Sequence, residues 1–358
     1  MKVLIAMSGG VDSSVAAHLL LQSGWECAGA MMKMFSGDLL GESQDSTCCS
    51  LDDTEDARAV AFRLGIPFYV FNAKDPFRRQ VMDAFVRDYE AGLTPNPCVA
   101  CNRHLKFDHF LKKALTLGYD RIATGHYAQI RRDPVSGRYL LCKAADISKD
   151  QSYFLACLTQ EQLAHVEFPL GSLSKTQVRQ IAEAEGFINA RKRDSQDICF
   201  VPDGDYMAFL ERYTGKTYPQ GNFLDQNGTA VGCHRGAVAY TLGQRKGLGL
   251  AMGAPVYVCS KDMAANTVTV GPNEALFHRT ILADDWVWFP FSTLTEPLKV
   301  TAKARSRMTE QPATVYPMAD GFARVEFDEP QRAMTPGQAV VLYDGDTVVG
   351  GGTIREVV

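Results

Sequence analysis

Apolar runs and polar gaps alternate regularly over roughly the first two hundred positions. Val3–Met7 is a short continuous apolar run, the pattern of a strand buried on both faces of a parallel sheet. Val11, Val15 and Leu19 recur at helical spacing, so Val11–Gln22 reads as a helix that Gly24 stops. Glu26–Met34 reads as a second strand and Asp53–Leu64 as a helix ended by Gly65 and Pro67, with Phe68–Phe71 as the strand after it. Helices follow over Phe77–Tyr89 and Leu105–Leu117, then a strand at Arg121–Thr124. This order predicts an α/β fold with a doubly wound parallel sheet.

The period then changes. Two β-rich runs flank Asp133-Pro134-Val135-Ser136-Gly137 within 129–143, a hairpin signature, and Ser174 with Gln177 makes a capping box before a helix reaching about Glu185. From about residue 205 glycines crowd between short β-like runs. From about 281 alternation dominates, as in Phe322-Ala323-Arg324-Val325-Glu326-Phe327, with turn signals such as Asp344-Gly345-Asp346. The expected division is 1–204 as the α/β domain, 205–280 as a central β-rich domain and 281–358 as a small C-terminal β-barrel.

A chain of 358 residues exceeds what one compact core usually serves. Its 46% hydrophobic and 22% charged residues exclude a disordered or fibrous class. With 37 Lys and Arg against 41 Asp and Glu, overall positive charge cannot coat a nucleic acid, so any RNA contact falls to local basic patches. The start, Met1-Lys2 and then a strand-like run, lacks a signal-peptide pattern, and no apolar stretch nears a bilayer span; the expectation is a cytoplasmic protein without a membrane partner. In a reducing compartment its ten cysteines read as core residues, metal ligands or catalytic thiols.

Ser8-Gly9-Gly10-Val11-Asp12-Ser13-Ser14 follows a predicted strand and opens a predicted helix. Glycines let backbone N–H groups approach an anion, the helix N-terminus favours one, and Ser8, Ser13 and Ser14 carry further donors. Asp12 needs a cation between itself and such an anion, and Mg²⁺ fits that place. The Lys of a Walker A loop is missing, and so is the Rossmann glycine spacing. The pattern resembles the PP-loop of N-type ATP pyrophosphatases, which adenylate a substrate and release pyrophosphate.

Two cysteine segments extend the likeness. Thr94-Pro95-Asn96-Pro97-Cys98-Val99-Ala100-Cys101-Asn102 comes just before a predicted helix, where a thiol gains thiolate character. Asp194-Ser195-Gln196-Asp197-Ile198-Cys199-Phe200 lies far along the chain. Thr124-Gly125-His126-Tyr127-Ala128, Lys149-Asp150-Gln151-Ser152-Tyr153-Phe154-Leu155 and Tyr240-Thr241-Leu242-Gly243-Gln244-Arg245-Lys246-Gly247-Leu248-Gly249 complete the set. In order and over essentially the whole chain, these segments resemble the bacterial tRNA-specific 2-thiouridylases, tRNA-uridine 2-sulfurtransferases.

That resemblance implies an ATP site at Ala6, Met7, Ser8, Gly9, Gly10, Val11, Asp12, Ser13, Met32 and Gly125. ATP would adenylate the 2-oxygen of the wobble uridine. Cys199 would carry a persulfide delivered by an upstream sulfur-relay protein or cysteine desulfurase, and Cys101 would be the nucleophile that closes a disulfide with it. The implied RNA is tRNA of the Lys, Glu and Gln type. It would be contacted by Asn96, Pro97 and Cys98 at the target base, and by His126, Lys149, Asp150, Gln151, Arg305, Ser306 and Gln338 elsewhere. Basic residues including Arg103, Lys106, Lys112 and Lys113 read as phosphate contacts on the RNA. The chain departs from the family at Cys98, where an Asp is common, and at Ser306, where an aromatic is common.

Three thiols, Cys98, Cys101 and Cys199, also suffice for an iron–sulfur cluster with one open iron, so persulfide relay, placed first, and cluster chemistry both stand at this point. Two other readings are an ATP-dependent amidating ligase, which leaves Cys101 and Cys199 unexplained, and a non-catalytic RNA-binding protein with a zinc-stapled loop. Cys48 and Cys49 read as structural, and Cys27, Cys142, Cys157, Cys233 and Cys259 as core fillers.

Overall fold

A computed structural model describes residues 1–35, 51–192, 198–201 and 204–358. The first part of the chain lays down β1 (Lys2–Ala6), β2 (Glu26–Lys33), β3 (Phe68–Asn72), β4 (Arg121–Ala123), the hairpin β5 (Gln129–Arg132) and β6 (Tyr139–Cys142), and β7 (Val166–Glu167). Five of these form a parallel sheet in the order β3-β2-β1-β4-β7. β1 is apolar from Val3 to Ala6 because both its faces are covered: Val3 and Ile5 enter one core, Leu4 the other. Helices α1 (Val11–Gln22) and α2 (Leu51–Leu64) cover the first face. The strand order turns around at β1 and β4, so the loops after these strands open into the crevice where doubly wound folds bind ligands.

The second face is covered by two long helical stretches. One comprises α3 (Lys74–Phe77), a π-helical turn Arg78–Met82 and α4 (Asp83–Glu90). The other comprises α5 (Pro97–Cys101), a π-helical segment Asn102–His109 and α6 (Phe110–Thr116). The second stretch begins at Pro97, well before the predicted start at Leu105. Asn96 caps it, its Oδ1 accepting the Val99 N–H at 3.3 Å, and Pro97 has no N–H to leave unsatisfied in the first turn. The helix Lys175–Ala184 packs on α1 and starts with the expected Ser174–Gln177 capping box.

The central region holds β8 (Gly221–Leu224), β9 (Ala230–His234), β10 (Tyr257–Asp262) and β11 (Thr267–Gly271), a sheet of order β10-β11-β8-β9. Then come β12 (Phe277–Trp288), β13 (Leu298–Lys303), β14 (Gln311–Pro317), β15 (Ala323–Arg332), β16 (Ala339–Asp344) and β17 (Thr347–Val357). Their order is β12-β15-β14-β13-β16-β17, and β17 pairs back onto β12, so the barrel closes and removes its own edges. Alternate residues such as Val300, Ala302, Val325 and Phe327 fill it.

The expected hairpin is present, but it does not stand apart on the α/β domain. β6 pairs with β17 at Cys142 and Thr347, adding β5 and β6 to the barrel sheet. Arg138 reinforces the junction by donating to the carbonyls of Phe289 (2.7 Å) and Trp288 (2.9 Å). A Cβ at Gly351 would lie 2.7 Å from the Ala156 carbonyl oxygen, so a glycine there lets the barrel strand close onto the α/β domain. Among the described residues no helix is long and apolar enough to cross a membrane.

Candidate nucleotide cleft and thiol helix

After β1 the chain turns through Met7–Gly10 into α1. Gly9 has φ +73°, and a Cβ there would lie 2.4 Å from the Asp53 carbonyl oxygen, so both conformation and space require glycine. The serines serve the loop itself. The Ser13 hydroxyl donates to the Gly10 carbonyl (3.0 Å) and accepts the Ser8 N–H (3.2 Å), and the Ser14 hydroxyl also donates to Gly10 (3.1 Å). The Ser13 and Ser14 hydroxyls thus bond within the loop, whereas Ser8 contributes its backbone N–H. Asn189, which gave no signal in the sequence, pins the loop from behind. Its amide donates to the Gly9 carbonyl at 2.9 Å and to the Ser14 hydroxyl at 3.0 Å.

Asp12 already has a cation beside it. Lys175 Nζ donates to both Asp12 carboxylate oxygens at 2.8 Å, and the Tyr127 hydroxyl donates to Oδ1 at 2.8 Å. From the sequence Mg²⁺ alone is expected as this counter-charge; a lysine at the start of a distant helix supplies one. Lys192 makes a comparable latch with Asp53 and Asp56, both at 2.6 Å, bringing α2 against the segment that leads to Cys199.

A cleft of about 200 Å³ opens at this point, walled by the Ser8–Ser13 loop, Met31, Met32 and Met34 of the β2 end, and Thr124, Gly125 and His126 after β4. Of the expected ATP residues, Ala6, Met7, Ser8, Asp12, Ser13, Met32 and Gly125 line it. Gly9, Gly10 and Val11 are not part of its lining, and the Val11 side chain, at the start of α1, is buried in the core. A Cβ at Gly125 would lie 2.7 Å from the Asp12 backbone, which keeps the two loops in contact.

His126 and Gln151, expected at the RNA, line the same cleft, and so does Lys106. His126 Nδ1 lies 2.7 Å from the Thr124 hydroxyl. Burial, and secondarily the Lys106 charge, hold its pKa well below the usual histidine value, so the ring is neutral. Gln151 Oε1 accepts the Tyr127 N–H at 2.9 Å. Asp150 is committed locally, accepting from Ala144 N (3.0 Å), Ser152 N (3.2 Å) and the Ser152 hydroxyl (2.6 Å). Lys149 lies beside it on a short 3₁₀ turn.

Cys98 and Cys101 lie one turn apart on α5; Cys98 is exposed and Cys101 buried. The first-turn dipole argument therefore applies to Cys98 and fades by Cys101. Cys101 belongs to the large core cluster, and half-buried Cys199 packs against that same cluster. Phe200 anchors the Cys199 segment, its ring 5.7 Å from Phe77 and 5.2 Å from both Phe85 and Phe209. Ser195, Gln196 and Asp197, like Cys48 and Cys49, lie outside the described residues. Among the described residues no three His, Cys, Asp or Glu side chains gather as a metal site.

Cys157 lies beneath α5, its thiol directed at the Val99 and Phe154 carbonyls, and burial raises its pKa to about 11. Cys27 and Cys142 are buried as expected, whereas Cys233 is exposed on β9.

On the barrel side, Gln338 Nε2 donates to the Thr94 carbonyl at 2.8 Å, tying β16 to the loop before Asn96. Arg305 donates to the Arg332 carbonyl at 2.8 Å, and Ser306 follows it in the same turn. Asn96 and Pro97 border a second cavity of about 270 Å³ between α5 and β17, away from the nucleotide cleft.

Residues 1–203 match the tRNA methyl transferase HUP domain family, 207–272 the tRNA methyl transferase PRC-barrel domain and 278–354 the aminomethyltransferase beta-barrel domain. A tRNA-specific 2-thiouridylase of Clostridioides difficile is 48% identical over 99% of this chain and 98% of its own length. One of Symbiobacterium thermophilum is 50% identical over 100% of this chain and 93% of its own. One of Acetivibrio thermocellus is 50% identical over 99% of each chain. With identity at this level along the whole length and the three domain families in order, the chain belongs to the tRNA-specific 2-thiouridylase family.

Proposed function

We propose that the protein is a tRNA-uridine 2-sulfurtransferase that activates C2 of the wobble uridine with ATP and replaces its oxygen with sulfur from a cysteine persulfide. The observation that carries this reading is that one helical stretch bears Cys101 and also walls the PP-loop cleft through Lys106. Base activation and sulfur delivery then share one small space.

In the first half-reaction the uridine 2-oxygen attacks the α-phosphorus of ATP. The α–β phosphoanhydride bond breaks, pyrophosphate leaves, and the N3 proton passes to solvent. The Ser8–Ser13 loop presents backbone N–H groups to the phosphates, and Gly125 allows close approach. Among the described residues lining the cleft Asp12 is the carboxylate that, beside Lys175, would hold a Mg²⁺ bound to ATP, and the ion would offset phosphate charge. In the second half-reaction the terminal sulfur of a Cys199 persulfide attacks C2 and AMP leaves with the former oxygen. Cys101 then attacks the Cys199 sulfur, thiouridine is released, and a Cys101–Cys199 disulfide remains for a thiol reductant to open with two electrons. For the cluster alternative, no group of three metal-ligating side chains gathers among the described residues.

The test is nucleoside mass spectrometry of tRNA incubated with the protein, ATP, Mg²⁺ and a persulfide donor. The expected product is 2-thiouridine with AMP and pyrophosphate released. ATP cleavage independent of tRNA, with no thiouridine, would overturn the assignment. A Lys, Glu or Gln acceptor preference and a cytoplasmic site of action belong to the same proposal.

A further inference from the structure

Lys106 reads in the sequence as one of several basic residues on a surface helix, available to an RNA phosphate. The fold places it elsewhere. It lines the nucleotide cleft together with Ser8, Asp12, Ser13, Gly125 and His126.

The winding of the helix accounts for this. On an α-helix, residues five apart point about 140° away from each other. Asn102–His109 is a π-helix, whose turn closes at i→i+5, and the Phe110 N–H accordingly bonds to the Leu105 carbonyl. In that winding a residue five positions after Cys101 returns to nearly the same side. Arg103 and His104 meanwhile face the separate cavity toward the barrel, so the stretch has two distinct faces and Lys106 is on the nucleotide one.

Charge decides what Lys106 can hold there. Asp12, the cleft's carboxylate, is already matched by Lys175, and His126 is neutral. Among the described lining residues Lys106 is the one permanent cation. A half-buried ammonium facing an anion-shaped loop suits a polyphosphate.

Resting on the nucleotide reading of the cleft, we propose that Lys106 binds the phosphate groups of ATP from the wall opposite the Ser8–Ser13 loop. Because it sits on the helix of Cys101, nucleotide and thiol are then held by one rigid element.

The experiment measures equilibrium binding of ATP, AMP and adenosine to the full chain and to its Lys106→Met and Lys106→Arg variants. tRNA affinity is followed across a salt series in the same samples. The expected result is an ATP affinity lower by about 10- to 100-fold in Lys106→Met, unchanged adenosine binding, and recovery in Lys106→Arg. Adenosine binding doubles as the check that the variant is folded. An ATP affinity within about twofold of wild type, with a tRNA salt slope reduced by about one, would return Lys106 to the RNA and overturn the proposal. Wild-type protein that fails to bind ATP would instead strike the nucleotide reading itself.

Discussion

Lys175 holds both carboxylate oxygens of Asp12 at 2.8 Å across 163 residues of sequence. Its side chain is 11% exposed and that of Asp12 29%, so the pair is more shielded than a surface ion pair. Lys175→Met leaves a carboxylate facing incoming phosphates. We expect a stability loss of about 1–3 kcal/mol by urea denaturation and a sharp fall in ATP affinity. Asp12→Asn in the same chain should restore much of the stability but not the ATP affinity.

Gly9→Ala meets two obstacles at once, a left-handed backbone and the Asp53 carbonyl. The loop must shift to accept it, costing about 2 kcal/mol or more. Thermal denaturation and ATP binding should both report the change, whereas Gly24→Ala, with open space around its Cβ, should cost about 1 kcal/mol for its backbone alone and leave ATP binding intact.

The cysteines should separate cleanly. Cys199→Ala and Cys101→Ala should abolish thiouridine while pyrophosphate release persists. Cys157→Ala should retain activity, because its thiol is buried and protonated at neutral pH. Nucleoside mass spectrometry with a pyrophosphate assay reads all three. Iron-dependent activity of the wild type would contradict this pattern.

Lys261 makes a pH-dependent prediction. Burial lowers its pKa to about 8, and its ammonium donates to the Tyr240 carbonyl at 2.9 Å. In the unfolded chain lysine titrates near its ordinary value of about 10.4. Below pH 8 both states are charged and the folded state bears the full burial cost. Between about 8 and 10 the unfolded state binds more protons, so stability rises with pH. Lys261→Met should therefore raise the melting temperature most near pH 7, and the gain should shrink toward pH 10.

The parallel sheet and the barrel were legible because their signals are local and periodic: Val3–Met7 as a continuous run, Phe322–Phe327 as strict alternation. The start of the Cys101 helix is displaced because 94–102 reads as the segment just before a helix, whereas Asn96 and Pro97 form its cap and first residue. Lys175 and Asn189 were invisible at the site, since only the fold brings them to the Gly9–Asp12 loop. Lys106 carried no positional signal either, because hydrophobic spacing does not reveal a π turn. The family resemblance supplied His126 and Gln151 as a group, and the fold gathers them around the nucleotide cleft.

The β5–β6 hairpin, anchored to β17 through Cys142 and Thr347 and clamped by Arg138, works as a caliper jaw. It fixes how closely the barrel sheet is held to the α/β domain. The same join has a mechanical price: a fragment ending near residue 204 would present the bare β6 edge to solvent, a template for pairing with the next copy.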